Sequence, residues 1–207
     1  IDNLSLISKS EAIINIHFPS NQLLLKASRR RLVFEEFLLL QLSLLRKRLE
    51  FKQRCSPLFK SSLSNPLVAK FLELLPFELT KSQLRVLNEV QVDLARSEPM
   101  ARLVQGDVGS GKTVIAQIAL LNAVDSGWQG ALMAPTEVLA EQHYRKFCEL
   151  FTQLHINVEL LTGSTTSLRK KQILNDLANG NINVLVGTHA LIEDPVSFSR
   201  LGLVVVD

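Results

Sequence analysis

A glycine-rich segment near the middle of the chain constrains the fold more than any other feature. Its residues are Gly106, Asp107, Val108, Gly109, Ser110, Gly111, Lys112 and Thr113, in the spacing G-x-x-x-x-G-K-T. The glycines permit backbone angles that turn successive N–H groups inward, and a helix starting at Lys112 points its positive dipole end to the same place. The segment therefore predicts a phosphate-binding loop (P-loop) between a strand and a helix.

Downstream of residue 67 the chain alternates between short apolar runs and longer helical patterns. Because the runs are apolar on both faces, they predict an α/β fold with a parallel sheet and helices on both of its faces. Right-handed crossovers then bring the carboxyl ends of the strands to one edge, where ligands bind. The predicted strands are 101–105, 130–134, 157–161, 183–186 and 203–206, and the helices 112–123, 137–151 and 168–178.

The first third of the chain has a different pattern. A β-like run at 13–18, closed by Pro19, predicts that residues 1–26 are the tail of a preceding domain. Residues 27–54 contain no glycine or proline and have a broad apolar face, which predicts a long helix packed on another surface. Prolines and serines at 55–66 indicate a linker. We therefore expect a helix-and-linker region at 27–66 and an α/β domain at 67–207.

Composition excludes several classes of protein. With 207 residues, 46% hydrophobic and 21% charged, the chain can bury a sizeable core, which argues against wholesale disorder. The most apolar stretch, at 32–45, is too short and too charged to span a membrane, and the start has no signal-peptide pattern. Cys55 and Cys148 lack metal-ligand spacing, so we expect reduced thiols in a cytoplasmic protein. A net charge of +3 is compatible with a nucleic-acid partner without indicating one.

The P-loop and the last residue together predict a phosphate and metal site. Lys112 is expected to reach the β- and γ-phosphates of a nucleotide, and the Thr113 hydroxyl to ligate Mg²⁺. Asp207 follows an apolar strand, where a carboxylate holds Mg²⁺ through water in P-loop enzymes; a polar strand end or a helix cap is the alternative. Lys112 and Asp207 are thus the candidate catalytic residues, and Thr113 and Asp207 the candidate metal ligands.

A segment upstream of the P-loop, from Phe77 to Gln83, is a candidate for recognising the base. Thr80 is a predicted N-cap of the helix that begins there. Gln83 can pair with the N6/N7 edge of adenine, as glutamine does elsewhere, although helix capping alone also explains the segment. We include Phe77 and Gln83 with the eight P-loop residues as candidate nucleotide-binding residues, and the predicted cofactors are ATP and Mg²⁺.

Further motifs appear in the order of the superfamily 2 helicases, which this chain resembles. In chain order the motifs are Gln83, the P-loop, Ala-Pro-Thr-Glu at 134–137, Leu-Thr-Gly-Ser at 161–164, Gly-Thr-His-Ala at 187–190, and Val206-Asp207. The amino-acid sequences of these motifs are similar to those of the RecG family of bacterial branch-migration helicases. The upstream segments 16–19 and 29–36 are similar to that family as well, so the resemblance covers nearly the whole chain. The motor of transcription–repair coupling factors, which has a similar P-loop, is the nearest alternative.

The resemblance implies a RecA-like P-loop NTPase fold and a DNA-facing edge made of strand ends. The residues implied to contact DNA are Pro135, Thr136, Glu137, Thr162, Gly163, Thr188 and His189. Small hydroxyl residues and helix N-termini bind phosphates without reading bases, which permits this assignment. Helix capping by Thr136 and Thr162, and a buried structural role for His189, are the local alternatives.

The resemblance also implies the partners: branched or forked DNA, a wedge domain and a second RecA-like domain, and no membrane. Both ends of the sequence look truncated, so we expect a fragment that lacks a general base and an arginine finger. Such a fragment is expected to bind ATP weakly and hydrolyse almost none. A P-loop kinase or GTPase switch, and a scaffold with a vestigial P-loop, are the other classes; retention of Lys112 and Thr113 argues against the scaffold.

Overall fold

A computed structural model describes residues 4–53, 56, 59 and 65–207. The chain divides into two compact units, 1–54 and 55–207, while the domain boundaries expected at residues 26 and 66 remain predictions. The elements are α1 (Lys9–His17), α2 (Gln22–Lys52), α3 (Pro66–Leu74), α4 (Lys81–Leu94), α5 (Lys112–Asp125), β1 (Gln129–Met133), α6 (Glu137–Phe151), a 3₁₀ turn (Thr152–Leu154), β2 (Val158–Leu161), α7 (Ser167–Ala178), β3 (Val184–Gly187), a second 3₁₀ turn (His189–Leu191) and β4 (Leu201–Val206).

The N-terminal unit begins with a helix where the sequence predicted a β-like run, so the prediction for residues 13–18 is wrong. Ser8 starts α1 as its N-cap, accepting a hydrogen bond from the Glu11 N–H at 3.2 Å. Ala12 and Asn15, three positions apart, are the buried residues of α1, which packs on α2. Local capping and helical packing therefore outweigh the strand preference of the isoleucines, as is common for β-propensity.

The predicted long helix is confirmed as α2, although it begins before residue 27. Asn21 caps it by accepting a hydrogen bond from the Leu24 N–H at 2.8 Å. Arg31 is buried near its start and forms an ion pair with Glu35 at 3.1 Å. Further along, apolar side chains such as Phe37 are more than half exposed, so the surface on which α2 packs stays a prediction. No helix in the described ranges combines the length and apolar character that crossing a membrane requires.

The C-terminal unit is built on a four-stranded parallel sheet in the order β2-β3-β1-β4. The helices and strands predicted downstream of the P-loop are confirmed to within two residues at each end. Alternate residues of β3 enter different clusters: Val184 and Val186 pack with α5 and α6, and Leu185 packs with α7. Helices therefore cover both faces of the sheet, as predicted, and the carboxyl ends of the strands share one edge.

The strand predicted at 101–105 is wrong, because these residues have no strand pairing in the structure. A strand requires a neighbour about 4.8 Å away. Instead, a cavity of about 330 Å³ has Leu103 and Val104 in one wall and Val204 and Val206 of β4 in another. Among the described residues, 101–105 form no backbone hydrogen bond to β4, and Leu103 is 87% exposed.

Most of the predicted linker lies outside the described residues, and Cys55 lies there too. The described part packs on the C-terminal unit: Phe59 is 5% exposed, and its N–H donates to the Leu94 carbonyl at 3.4 Å. Asn65 then caps α3. The other cysteine, Cys148, forms no disulfide, and burial raises the pKa of its thiol.

Candidate nucleotide-binding site and strand-end edge

The P-loop has the backbone conformation that its glycines predict. Gly109 and Gly111 have φ angles of +81° and +87°, in the left-handed region that favours glycine. Gly111 is also the N-cap of α5 and supplies no side chain to cap its N–H groups. The N–H groups of Gly109, Gly111, Lys112 and Thr113 donate to no acceptor among the residues that the structure describes. Unsatisfied donors at a helix N-terminus are the arrangement that binds phosphate.

The Lys112 side chain folds back over its own loop. Its Nζ donates to the carbonyl oxygens of Gly106 at 2.7 Å and Asp107 at 2.9 Å. The ammonium group is therefore held at the loop by two neutral acceptors, while the adjoining N–H donors have no partner among the described residues. The loop thus presents positive charge and free donors together, which suits an anion.

The predicted capping role of the segment before α4 is confirmed, and it extends to the P-loop. Thr80 Oγ1 accepts a hydrogen bond from the Gln83 N–H at 3.3 Å, and Gln83 Oε1 accepts one from the Thr80 N–H at 2.8 Å. Gln83 Nε2 also donates to the Ser110 carbonyl at 2.9 Å, a contact that the sequence did not predict. Pairing of Gln83 with adenine stays a prediction, since its amide oxygen and an amide N–H already have protein partners.

A cavity of about 620 Å³ brings distant parts of the chain together. Phe77 lines it from the segment before α4, Lys112 and Thr113 from the start of α5, and Asp207 from the end of β4. Binding sites for small molecules have volumes of about 300–1,000 Å³, so a nucleotide is of suitable size.

The other predicted nucleotide-binding residues divide between the wall of this cavity and its support. Val108, Gly109 and Gly111 also line it. Gln83, Gly106, Asp107 and Ser110 do not line it, and they hold the loop through the hydrogen bonds described above.

Asp207 is fixed from two sides at the edge of the sheet. Its N–H donates to the Met133 carbonyl at 2.9 Å, and its Oδ2 lies 2.8 Å from His143 Nε2. Its other carboxylate oxygen and the Thr113 hydroxyl form no hydrogen bond within the described part of the chain. Mg²⁺ binds oxygen ligands and keeps several waters, so one hydroxyl and one carboxylate fit it. The described residues contain no cluster of three or more metal-binding side chains.

His143 was not predicted as a site residue. It lies on α6, on the face that lines the cavity of about 620 Å³, which we call the candidate nucleotide cavity. The α6 residues that line it are Leu139, Gln142, His143, Lys146, Glu149 and Leu150. The three- and four-residue spacing of these positions was the available signal, because it places them on one side of a helix. The sequence alone did not show that this side faces the P-loop and Asp207.

At the end of β1, two predicted DNA-binding residues already have protein partners. Thr136 caps α6, accepting a hydrogen bond from the Leu139 N–H at 3.3 Å. Glu137 accepts hydrogen bonds from the Ser164 N–H at 3.0 Å and the Ser164 hydroxyl at 2.8 Å. Glu137 therefore connects the end of β1 to the loop after β2, while Pro135 is exposed.

The remaining edge residues differ in exposure. Thr162 is 6% exposed and Thr188 is 9% exposed, whereas Gly163 and His189 are exposed. The exposure of His189 rules out a buried structural role, and Thr162 does not cap α7, which begins at Ser167. The edge therefore consists of exposed positions next to buried threonines.

Known proteins share this arrangement of motifs. The family model of the DEAD/DEAH box helicases matches residues 80–207. The chain belongs to the DEAD/DEAH box helicase family. Its sheet with helices on both faces is the RecA-like fold of that family, so the fold prediction is confirmed.

Individual DEAD/DEAH box helicases are similar over nearly the whole chain. The ATP-dependent DNA helicase RecG of Synechocystis is 52% identical over all of this chain, which covers 25% of that relative. RecG of Bacillus subtilis is 47% identical over 95% of this chain and 29% of its own length. A solved structure of RecG bound to a three-way DNA junction has a TM-score of 0.82 and 42% identity, covering 98% of this chain and 28% of that one. The chain thus spans about a quarter of the length of the relatives it matches.

Proposed function

We propose that this chain is part of the ATP-driven motor of a cytoplasmic DNA helicase that remodels branched DNA, such as replication forks and Holliday junctions, in recombination and repair. The observation that carries the proposal is the single cavity shared by Phe77, the P-loop and Asp207. Similarity to RecG proteins along the whole chain favours a RecG-type motor over the coupling-factor motor that the sequence left open.

In this proposal each residue of the cavity has a role in binding ATP. The phosphates take the hydrogen bonds of Lys112 that now go to Gly106 and Asp107, together with the free N–H groups of the loop. The Thr113 hydroxyl and, through water, the Asp207 carboxylate hold Mg²⁺, which neutralises charge on the phosphates. Phe77 supplies an apolar wall for the base.

The strand-end edge is the proposed DNA surface. Pro135, Gly163 and His189 are exposed there and can approach the DNA backbone, since backbone contacts need no base-specific groups. Thr136, Glu137, Thr162 and Thr188 support that surface through capping, the Ser164 contact and burial. The further partners in this proposal are a second RecA-like domain and a wedge domain that selects branched DNA.

Nucleotide competition tests the proposed class. A fluorescent ATP analogue bound to the 207-residue chain with Mg²⁺ should be displaced by ATP at lower concentrations than by GTP. Equal displacement by both nucleotides would favour a P-loop protein without adenine selection. In the native protein, Lys112→Ala should abolish remodelling of forked DNA, and full remodelling by this variant would contradict a motor driven from this loop.

A further inference from the structure

We propose that His143 is a positioning residue for Asp207: its imidazole holds one carboxylate oxygen and leaves the other for the hydration shell of Mg²⁺. This inference rests on the proposed function, because it concerns the same nucleotide site. It gives a role to a residue in the middle of α6, whereas the predicted DNA contacts on this helix lie only at its start.

The contact is short and joins two separate elements. His143 Nε2 on α6 lies 2.8 Å from Asp207 Oδ2 at the end of β4, which is within hydrogen-bonding distance. The His143 side chain is 11% exposed, whereas that of Asp207 is 44% exposed. The imidazole is therefore held by packing, and the more exposed carboxylate is the group whose orientation the contact restricts.

The buried environment of His143 also defines which ring nitrogen donates. Nδ1 is buried and has no hydrogen-bond partner in the described part of the chain. A carboxylate only accepts hydrogen bonds, and a neutral imidazole has one donor and one acceptor nitrogen. Nε2 therefore carries the hydrogen in the neutral ring, and Nδ1 presents a lone pair.

The contact with His143 restricts the Asp207 side chain further, because the Asp207 backbone is already held by a hydrogen bond. The Asp207 N–H donates to the Met133 carbonyl of β1, so the Asp207 side chain retains only its own torsion angles as freedom. His143 removes most of that freedom by holding one oxygen. The unpaired oxygen is then held in a defined position, and Asp207 lines the same cavity as Thr113 and Lys112. Such preorganisation lowers the cost of ordering a ligand when magnesium binds with ATP.

A purely structural role for His143, as a tie between α6 and β4, makes a different prediction. If the contact only joins α6 to β4, its loss lowers the free energy of unfolding and weakens ATP binding equally with and without Mg²⁺. Loss of a positioning residue weakens only the metal-dependent part of ATP binding. The two roles are therefore separated by titrating Mg²⁺ at fixed ATP and comparing the result with ATP binding in EDTA.

The test compares His143→Leu, which removes the donor, with His143→Gln, which retains an N–H group that can reach a carboxylate. In the 207-residue chain, His143→Leu should raise the Mg²⁺ concentration for half-maximal ATP binding about 10- to 100-fold, the range expected when a group that orients a metal ligand is lost. Its ATP affinity in EDTA should stay within about twofold of wild type. His143→Gln should recover most of the metal dependence.

Val138→Ala is the control on the same helix, since Val138 is 66% exposed, does not line this cavity and has no hydrogen bond to Asp207. Its Mg²⁺ dependence should equal that of wild type. An unchanged Mg²⁺ profile in His143→Leu, or equal shifts in the Leu and Gln variants, would overturn the positioning role. If wild type binds no ATP at any Mg²⁺ concentration, the proposed function itself fails.

Nitrogen-15 NMR of the imidazole in the chain without metal or nucleotide gives an independent readout. The neutral ring of His143 should carry its hydrogen on Nε2. A hydrogen on Nδ1 would contradict the proposed contact, whether or not the chain binds ATP.

Discussion

The candidate nucleotide cavity and the strand-end edge belong to the same unit of the chain, but their polar groups differ in how many already have hydrogen-bond partners. At the cavity, the N–H groups of Gly109 and Thr113 and the Thr113 hydroxyl have no partner among the described residues. At the edge, Thr136 and Glu137 already hydrogen-bond to protein groups. Free hydrogen-bonding capacity therefore distinguishes the candidate nucleotide site from this part of the strand-end edge, where the polar groups already bind one another.

The largest expected effect on stability comes from the P-loop glycines. Gly111→Ala places a Cβ 2.2 Å from Gln83 Nε2 and at a φ of +87°, so it strains the backbone and breaks the Gln83–Ser110 hydrogen bond. We expect a loss of about 2–3 kcal/mol in the free energy of unfolding, measured by urea denaturation. Gly109→Ala is the matched control, because its φ is +81° but no heavy atom lies within 4 Å of the added Cβ.

Gly109→Ala should cost only the strain, about 1 kcal/mol. Equal losses for the two variants would show that Gln83 does not support the loop. The P-loop conformation would then depend on its own glycines and not on the contact with α4.

Glu137→Ala sharpens the comparison at the edge. Removing the carboxylate leaves the Ser164 N–H without its acceptor, and we expect a loss of about 1–2 kcal/mol in the free energy of unfolding, with ATP affinity unchanged. Glu141→Ala, on the same helix, removes an exposed pair with Arg145 and should cost less than about 0.5 kcal/mol. A stability equal to wild type in Glu137→Ala would mean that its carboxylate is free to act elsewhere.

Thr136→Ala tests capping at the same helix end. Loss of the N-cap hydrogen bond should lower the free energy of unfolding by about 1 kcal/mol, measured by urea denaturation. Thr136→Ser retains a hydroxyl and should recover most of this loss. If the Ser variant is no more stable than the Ala variant, the threonine acts through its methyl group and not through its hydroxyl.

The smallest effect on stability is expected at His189. Its side chain is exposed and has no hydrogen bond within the described residues, so His189→Ala should change the free energy of unfolding by less than about 0.5 kcal/mol. If the edge contacts DNA as proposed, the same variant should weaken DNA binding by the native protein, measured by fluorescence anisotropy. If His189→Ala lowers the free energy of unfolding and leaves DNA binding unchanged, His189 has a structural role and does not contact DNA.

The sequence predicted the C-terminal unit well wherever the determining interactions are local. Left-handed glycines, the Thr80 cap and helical or strand periodicity each act over a few residues, and all are present in the structure. The prediction failed at 101–105, because a strand forms only beside a partner, and a cavity lies between this segment and β4. It failed at 13–18, because Ser8 and the packing on α2 favour a helix there.

The site residues show the same limit. The P-loop residues and Asp207 could be predicted as site residues, since a short motif and a strand end point to them. His143 and the Gln83–Ser110 contact were not, because each depends on elements that are distant in sequence coming together. The partners of Thr136 and Glu137 were likewise visible only in three dimensions, while DNA contact by these two residues stays a prediction.

The most direct test of the account is isothermal titration calorimetry of ATP into the 207-residue chain with Mg²⁺. We predict one saturable site whose affinity falls at least about tenfold in Lys112→Ala, corresponding to about 1.4 kcal/mol or more. Absence of binding heat at millimolar ATP, or equal affinity in wild type and Lys112→Ala, would contradict the claim that the free donors of this loop bind a triphosphate.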